Sequence, residues 1–581
     1  MVEQPRDPYP GNRYDWRSDW LLALGGLIAI VLMLYGSAII LNKQFYKTYS
    51  PFYDSAAYHN YVATVVGVFE TQGTFAALRY ALDANTAPLP GLETAVLARL
   101  GWVTSPVSRL LGIQLQTIWV MALAIALYFY WFGFRRASAW LAVALSLPFV
   151  MFTGLFNFNG GLLDFRLDLS LYLLFSLTVV IYLMTEHIDS YGIWIGMGFA
   201  AALACLTRAT APVYLVVALG PPWIVRFALS DRRLDLLKKT LVMLIPFALF
   251  GLSYFFYNFA NLYYYYVVWS ADANAHLPWS ESVKHFTFAW RALGTPLGVA
   301  GLVCLAAILI ENARSIRRPG DIDWKLLWIG CAPALFLAWR GAGWNPFVAM
   351  PSIFGWMMFA LSPLRNPPVM PRTPITAMGF IAVVLACGWN LMEAPLQAQP
   401  DWPAQMSAMR GGIDAMRADA ASKGLREVRF TSIHLWYYHA VFMRDVLIHE
   451  YAGRALPDRV VLPDGLSLYV YREPDFATPT KMDWDRQQGA TDDEKIRNLV
   501  EDAKAHLDYI LMPDDETVTN VEKHIPHNYA NLVVRRLRQK LLDTGDWQPV
   551  SGKLAISPVE SVQIYARSTR PAGQSTTAPR P

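Results

Sequence analysis

The stretch DLSLYLLFSLTVVIYLMTEHIDSYGIWIGMGFAAALACLTRATAPVYLVVALGPPWIVRFALSDRRLDLLKKTLVMLIPFALFGLSYFFY, residues 168–257, decides the fold. It holds four apolar runs, near 168–184, 192–206, 211–229 and 240–258, parted by short polar breaks. A helix needs about 20 mostly apolar residues to cross the hydrocarbon of a bilayer. One such run could be the core helix of a soluble domain, but each of these neighbours others of the same kind. Working outward, further runs occur near 20–41, 115–133, 137–156, 295–311, 326–339, 345–362 and 375–393. The sequence therefore predicts a polytopic α-helical membrane protein of roughly eleven spans.

Composition agrees. The 581 residues are 54% hydrophobic and 14% aromatic, and only 16% are charged, against about 25% in a soluble domain. A net charge of +4 is too small to argue for a nucleic-acid partner. The four cysteines, Cys205, Cys304, Cys331 and Cys387, all lie in apolar runs and form no CxxC or Cys/His spacing. They read as small apolar fillers of a helical bundle, not as zinc ligands. The first run, Trp20 to Leu41, is too long for a signal-peptide core and reads as a retained anchor.

Basic residues set the orientation, because cytoplasmic loops are enriched in Lys and Arg. With the N-terminus and its Arg6, Arg13 and Arg17 in the cytoplasm, the cytoplasmic loops hold four basic groups. These are Arg135 and Arg136; Arg226, Arg232, Arg233, Lys238 and Lys239; Arg314, Arg317, Arg318 and Lys325; and Arg365 and Arg372. The opposite short loops hold mostly single cations, Arg166, Arg208 and Arg340. One cytoplasmic turn, Thr185 to Gly192, breaks the pattern with no Lys or Arg.

A membrane domain over 1–396 is thus expected, with a large outer loop over 42–114. That loop contains GTFAALRYAL and ETAVLARL, whose periodicity suits amphipathic helices on the membrane surface. A second outer segment, 260–294, opens with the aromatics Tyr263 to Tyr266 and Trp269. From 397 to 567, strand-like runs (REVRFTSI, RVVLP, LSLYVYRE, LDYILMP, SVQIYAR) alternate with helix-like ones (QMSAMRGGIDAMRADAAS, IRNLVEDAKAH, NLVVRRLRQKLLD). This predicts a C-terminal extracytoplasmic α/β domain. The tail 568–581 is rich in Pro, Ser and Thr and is expected to be disordered.

Three clusters on the outer side could carry chemistry. Asp54, in YSPFYDSAAYHN, sits one turn beyond the first span. It suits a helix N-cap or a carboxylate that takes a proton from an attacking hydroxyl. Asp164, Arg166 and Asp168 crowd the mouth of a later span, where charge is expensive unless paired or wet. They fit a functional site and an interfacial ion pair about equally. Arg208, in CLTRATAPVYL, offers a fixed cationic fork suited to phosphate oxygens. A lone Arg could equally snorkel to headgroups. Arg340 with Trp344, in AWRGAGWNPF, adds another outward cation. No P-loop, GxGxxG or HExxH is present, so nucleotide-driven chemistry in the cytosol has no support.

The order and sidedness of these motifs resemble the GT-C superfamily of membrane glycosyltransferases. The likeness is to the branch of protein mannosyltransferases and lipid A aminoarabinose transferases. DSAAY keeps that family's Asp and Tyr as Asp54 and Tyr58, with Ser55 where the family has Glu. Gly73 and APLPGLETAVLARLG resemble its Gly and Pro-Leu step, with Thr86 and Ala87 in place of a basic residue. Its second Asp resembles Asp168, with Asp164 as the competing match, and its Leu-Thr-Lys/Arg turn resembles Leu206, Thr207 and Arg208.

The resemblance implies a polyprenyl-phosphate sugar donor, a lipid or glycan acceptor, and an inverting transfer at the outer face of the cytoplasmic membrane. Asp54, Asp168 and Asp164 would be catalytic. Arg208, Arg166, Tyr58, Arg340 and Trp344 would bind substrate. No cofactor is implied, although the acidic residues leave a divalent cation open. A flippase for a lipid-linked glycan or a non-catalytic assembly subunit is the competing class. A transporter would favour repeated halves and charges deep within its spans, and neither is visible here.

Overall fold

The structure, a computed structural model, describes residues 53–84, 88–100, 106–129, 168–263, 324–340, 402–433, 440–470, 488–524, 529–557 and 560–568, with a few single residues between. The N-terminal part is helical. Helices α1 (Tyr53–Gln72), α2 (Thr74–Asp83) and α3 (Leu89–Arg99) precede α4 (Pro106–Tyr128). Then come α5 (Asp168–Met184), α6 (Tyr191–Thr207), α7 (Ala211–Leu229), α8 (Arg233–Tyr257), α9 (Phe259–Tyr263) and α10 (Trp324–Arg340).

Among the described residues, α7 and α8 are long and apolar enough to cross a membrane. Shorter apolar helices cover Thr117–Tyr128, Leu169–Met184, Tyr191–Thr207 and Trp324–Phe336. Single residues apart, the runs expected near 20–41, 137–156, 295–311, 345–362 and 375–393 lie outside the described residues, as do the segment 264–294 and the tail after 568. Helix α4 starts earlier than its apolar run, because Pro106 in its first turn has a ring-fixed φ that suits a helix start. Helix α8 likewise begins on the polar turn at Arg233, and passes through a π-helical stretch at Phe247–Leu252 directly after Pro246.

Apolar helices in a bilayer associate through close packing more than through burial from water, so small residues mark their contacts. Helices α6 and α8 meet in this way. A Cβ on Gly198 would collide with the carbonyl oxygen of Met243, and one on Gly251 would stand 3.1 Å from the Ala202 Cα. Gly198→Val is therefore expected to destabilise the bundle by about 1–3 kcal/mol. Thermal unfolding in detergent checks this, and a Gly196→Val control meets open space.

The lack of Lys and Arg in the turn from Thr185 to Gly192 has a structural explanation. Glu186 in the α5–α6 turn accepts from Lys325 Nζ at 2.6 and 2.7 Å. Asp189 pairs with Lys239 and lies 3.9 Å from Arg232. Arg226 donates to the carbonyl and hydroxyl oxygens of Thr185, both at 2.8 Å, and so caps the end of α5. The turn lacks basic residues of its own because α7, α8 and α10 supply them. These contacts gather the end of α5, the starts of α8 and α10, and the last turn of α7 at one end of the bundle.

The C-terminal part contains α11 (Trp402–Ser422), β1 (Glu427–Ser432), α12 (Ala440–His449), β2 (Arg454–Ala455), β3 (Arg459–Val461) and β4 (Ser467–Val470). It continues with α13 (Asp492–His506), β5 (Tyr509–Pro513), α14 (Asp515–His524), α15 (Tyr529–Asp543), β6 (Trp547–Pro549), β7 (Leu554–Ser557) and β8 (Glu560–Arg567). The strands form one mixed sheet in the order β2-β3-β4-β1-β5-β8-β6, with β7 paired to β8. Strands β4, β1 and β5 are parallel and the rest pair antiparallel.

One face of the sheet packs on α11 and α12 through Met409, Ile413, Met443 and Leu447. The other packs on α13 and α15 through Leu499, Ala503, Leu537 and Leu541. Each of the five strand-like runs supplies a strand and each of the three helix-like runs a helix. Thr491 and Glu494 close a reciprocal capping box at the start of α13, matching the polar TDDE before the apolar periodicity.

Candidate active site

Chain direction decides where the polar residues of the membrane part lie. Helices α5 to α8 alternate through short turns, and α10 starts beside Glu186. The opposite end of the bundle therefore receives the start of α5 at Asp168, the end of α6 before Arg208, the end of α8 at Tyr257, and the end of α10 at Arg340. Rings confirm the sense of α10 against α7, since Tyr214 in the first turns of α7 packs edge-on against Phe336 late in α10.

Arg208 is half-buried at the α6–α7 junction. Its N–H donates to Ala204 O at 3.1 Å and its carbonyl accepts from Ala211 N–H at 3.0 Å. Its backbone is extended (φ −152°, ψ 131°), which stops α6, and Pro212 in the first turn of α7 restarts the helix. These bonds fix the Cα from which the guanidinium extends between the two helix ends.

The helices of the first loop close on this same end. The Ala84 carbonyl, just after α2, accepts from Asn258 Nδ2 at 2.7 Å and Tyr254 Oη at 3.3 Å. Tyr257 Oη donates to Asp83 at 2.7 Å, and α3 packs on α6. Helix α1 lies against α2 and α3, with Tyr61 and Val65 filling the space opposite Gly91. Asp54 is itself helical, in the first described turn of α1, and Tyr58, one turn later, is half-buried. Phe75 on α2 is 89% exposed and Val96 on α3 is exposed, but α1 is sandwiched.

The backbone thus brings Asp168, Arg208 and Arg340 to one end of the bundle and seats the helix of Asp54 and Tyr58 over it by way of α2 and α3. Asp164, Arg166 and Trp344 lie outside the described residues. Among the described residues no three His, Cys, Asp or Glu side chains group as a cation site.

The chain shares its fold with ArnT. That protein, ArnT from Cupriavidus metallidurans, was solved in a crystal with undecaprenyl phosphate bound. The superposition has a TM-score of 0.52 and covers 92% of this chain and 97% of ArnT, at 11% sequence identity. The likeness is one of fold, here apolar helices followed by a sheet-containing C-terminal part. No protein-family model matches the sequence, and no curated protein does.

Two features of this region escape a reading of the sequence. Glu93 on α3 is half-buried, and burial pushes its carboxyl up to about 7. The acid is therefore favoured neutral in the folded state, so stability is highest below the ordinary carboxylate range and falls as pH rises from about 4.5 to about 7. Partial exposure limits the effect to about 1–3 kcal/mol. Glu93→Gln is expected to flatten that slope in unfolding curves taken between pH 4.5 and 7.5, and an unchanged slope would assign it to another group.

The second is a buried polar seam between α1 and α12. His59, 1% exposed, pairs with Asp445, 2% exposed. Arg444 Nη2 donates to Thr64 Oγ1 at 2.9 Å and to Leu456 O, while its Nη1 donates to Pro457 O at 3.2 Å. Ala63 joins the apolar core of the C-terminal part, and Gly67 lies against the Ala455 carbonyl with no room for a Cβ.

Proposed function

We infer that this chain is an integral-membrane glycosyltransferase. It moves a sugar from a polyprenyl-phosphate donor to a lipid or glycan acceptor at the outer face of the cytoplasmic membrane. What supports this reading is a fold shared with a protein solved with undecaprenyl phosphate bound, together with helix directions that bring the backbone of Asp168, Arg208 and Arg340 to the end of the bundle to which α2 and α3 tie the helix of Asp54.

The proposed chemistry follows from those groups. An acceptor hydroxyl oxygen attacks the anomeric carbon as its bond to the phosphate oxygen breaks, and the configuration inverts. Asp54 takes the hydroxyl proton. The bonding pair leaves with the polyprenyl phosphate, whose gain in negative charge Arg208, helped by Arg340, stabilises. Asp168, with Asp164 as the competing assignment, orients the acceptor. Arg166, Tyr58 and Trp344 complete the substrate-binding set. Some of the aromatics from Tyr263 to Trp269 would line the sugar or the prenyl chain, and several would form an ordinary interfacial belt.

The test is transfer of label from a radiolabelled polyprenyl-phosphate sugar pool in membranes with wild type, Asp54→Asn or Arg208→Ala at matched levels. Label moved by wild type alone is the expected result. Equal behaviour of all three, with glycan export depending on the protein, would favour a flippase or an assembly subunit.

A further inference from the structure

The seam between α1 and α12 joins the helix of the proposed base to the C-terminal domain, and its residues have no part in the chemistry above. His59, Asp445 and Arg444 are all almost fully enclosed. Burying charged and polar groups together is a poor way to gain stability, since desolvation offsets most of the attraction. Its consequence is registry, because a buried pair tolerates little displacement before one partner is stranded. Here the register is set at three levels along α1, at His59 on Asp445, Thr64 on Arg444, and Gly67 on Ala455.

Asp54 lies five residues before His59 on the same helix, about 7.5 Å along its axis at about 1.5 Å per residue, so what fixes His59 also fixes the height of Asp54. The opposite side of α1, with Tyr61, Val65 and Val68, packs on α2 and α3. Helix α1 is thus held between the membrane part and the C-terminal domain, and its rotation and height are fixed from the domain's side.

We propose that His59, Asp445 and Arg444 are positioning residues that let the C-terminal domain set the placement of Asp54 over the bundle. The inference rests on the transferase reading. Loss of the seam acts on turnover more than on donor binding, because the donor phosphate is held by cations of the bundle and not by α1. A displacement of about 1 Å at a reacting group lowers rates by about 10²-fold.

The experiment uses the full-length protein in detergent or nanodiscs. It compares wild type with Asp445→Asn, His59→Gln, their double variant, and Gly67→Ala. The glycine variant wedges α1 away from β2 without altering a charge. Hydrogen exchange is read at 53–60, with strands 427–432 and 509–513 reporting whether the domain stays folded, alongside kcat and KM for a polyprenyl-phosphate sugar. The expected result is faster exchange at 53–60 with protected strands. With it should come a fall of about 10²-fold in kcat, little change in donor KM, and a double variant no worse than the worse single. Unchanged exchange at 53–60, or unchanged kcat despite faster exchange, overturns the proposal. If wild type transfers nothing, the transferase reading fails separately. The exchange arm then still decides whether the seam orders α1, with unchanged exchange overturning that as well.

Discussion

Asp54→Asn is expected to lower sugar transfer by about 10²–10⁴-fold, the range removed when a positioned proton acceptor is lost. Asn keeps the size and shape of the side chain and can still accept a hydrogen bond, so α1 and its packing on α2, α3 and α12 should survive. What it cannot do is take the hydroxyl proton. Two controls separate chemistry from folding. The unfolding temperature should stay near that of wild type, and donor binding should persist, since Arg208 and Arg340 are untouched. Because the ionised carboxylate does the work, wild-type kcat/KM should also fall on the acid side as a carboxyl becomes protonated. The Asn variant's residual activity should lack that limb. Wild-type turnover in Asp54→Asn would remove the base from the mechanism and leave only its helix-start reading.

The parts of the fold that were legible in the sequence are those with a local cause. The apolar runs at 168–184, 192–206 and 211–229 became α5, α6 and α7 because each carries its own stop or start, such as Ser190 capping α6 and Pro212 opening α7. The strand-like runs of the C-terminal part became strands because alternation or full burial dictates them locally. Short strands such as β6 and β7, at three and four residues, carry too little pattern to stand out.

The seam was illegible for another reason. Arg444 and Asp445 interrupt the apolar run AVFMRDVLIH, which signals an unusual partner but not which one. The partners, Thr64 and His59, are 380 and 386 residues away. In the same way the basic-poor turn at Thr185 looked like an exception until its acids met lysines from other loops. For the site, the sidedness argument from basic residues named Asp168, Arg208 and Arg340 together, and helix direction puts them at one end.

Arg208 allows the sharper substitution series. Arg208→Ala is expected to lower transfer by about 10²–10³-fold, the loss typical of removing one donor to a developing oxyanion. Arg208→Lys keeps the positive charge but replaces a planar fork by a point charge, so it should recover only part of the rate. The split between constants is informative. The phosphate is already anionic in the donor, so part of the interaction exists before reaction and its loss should raise KM. The leaving phosphate gains further charge as the sugar bond breaks, so kcat should fall as well. If Arg208 merely snorkels to headgroups, Lys should serve fully and Ala should alter stability but not kcat. The junction geometry makes that alternative testable without ambiguity. The backbone bonds from Arg208 N–H to Ala204 O and from Ala211 N–H to Arg208 O do not depend on the side chain. The α6–α7 turn should therefore hold in both variants, and a drop in kcat with an intact turn assigns the guanidinium to the phosphate.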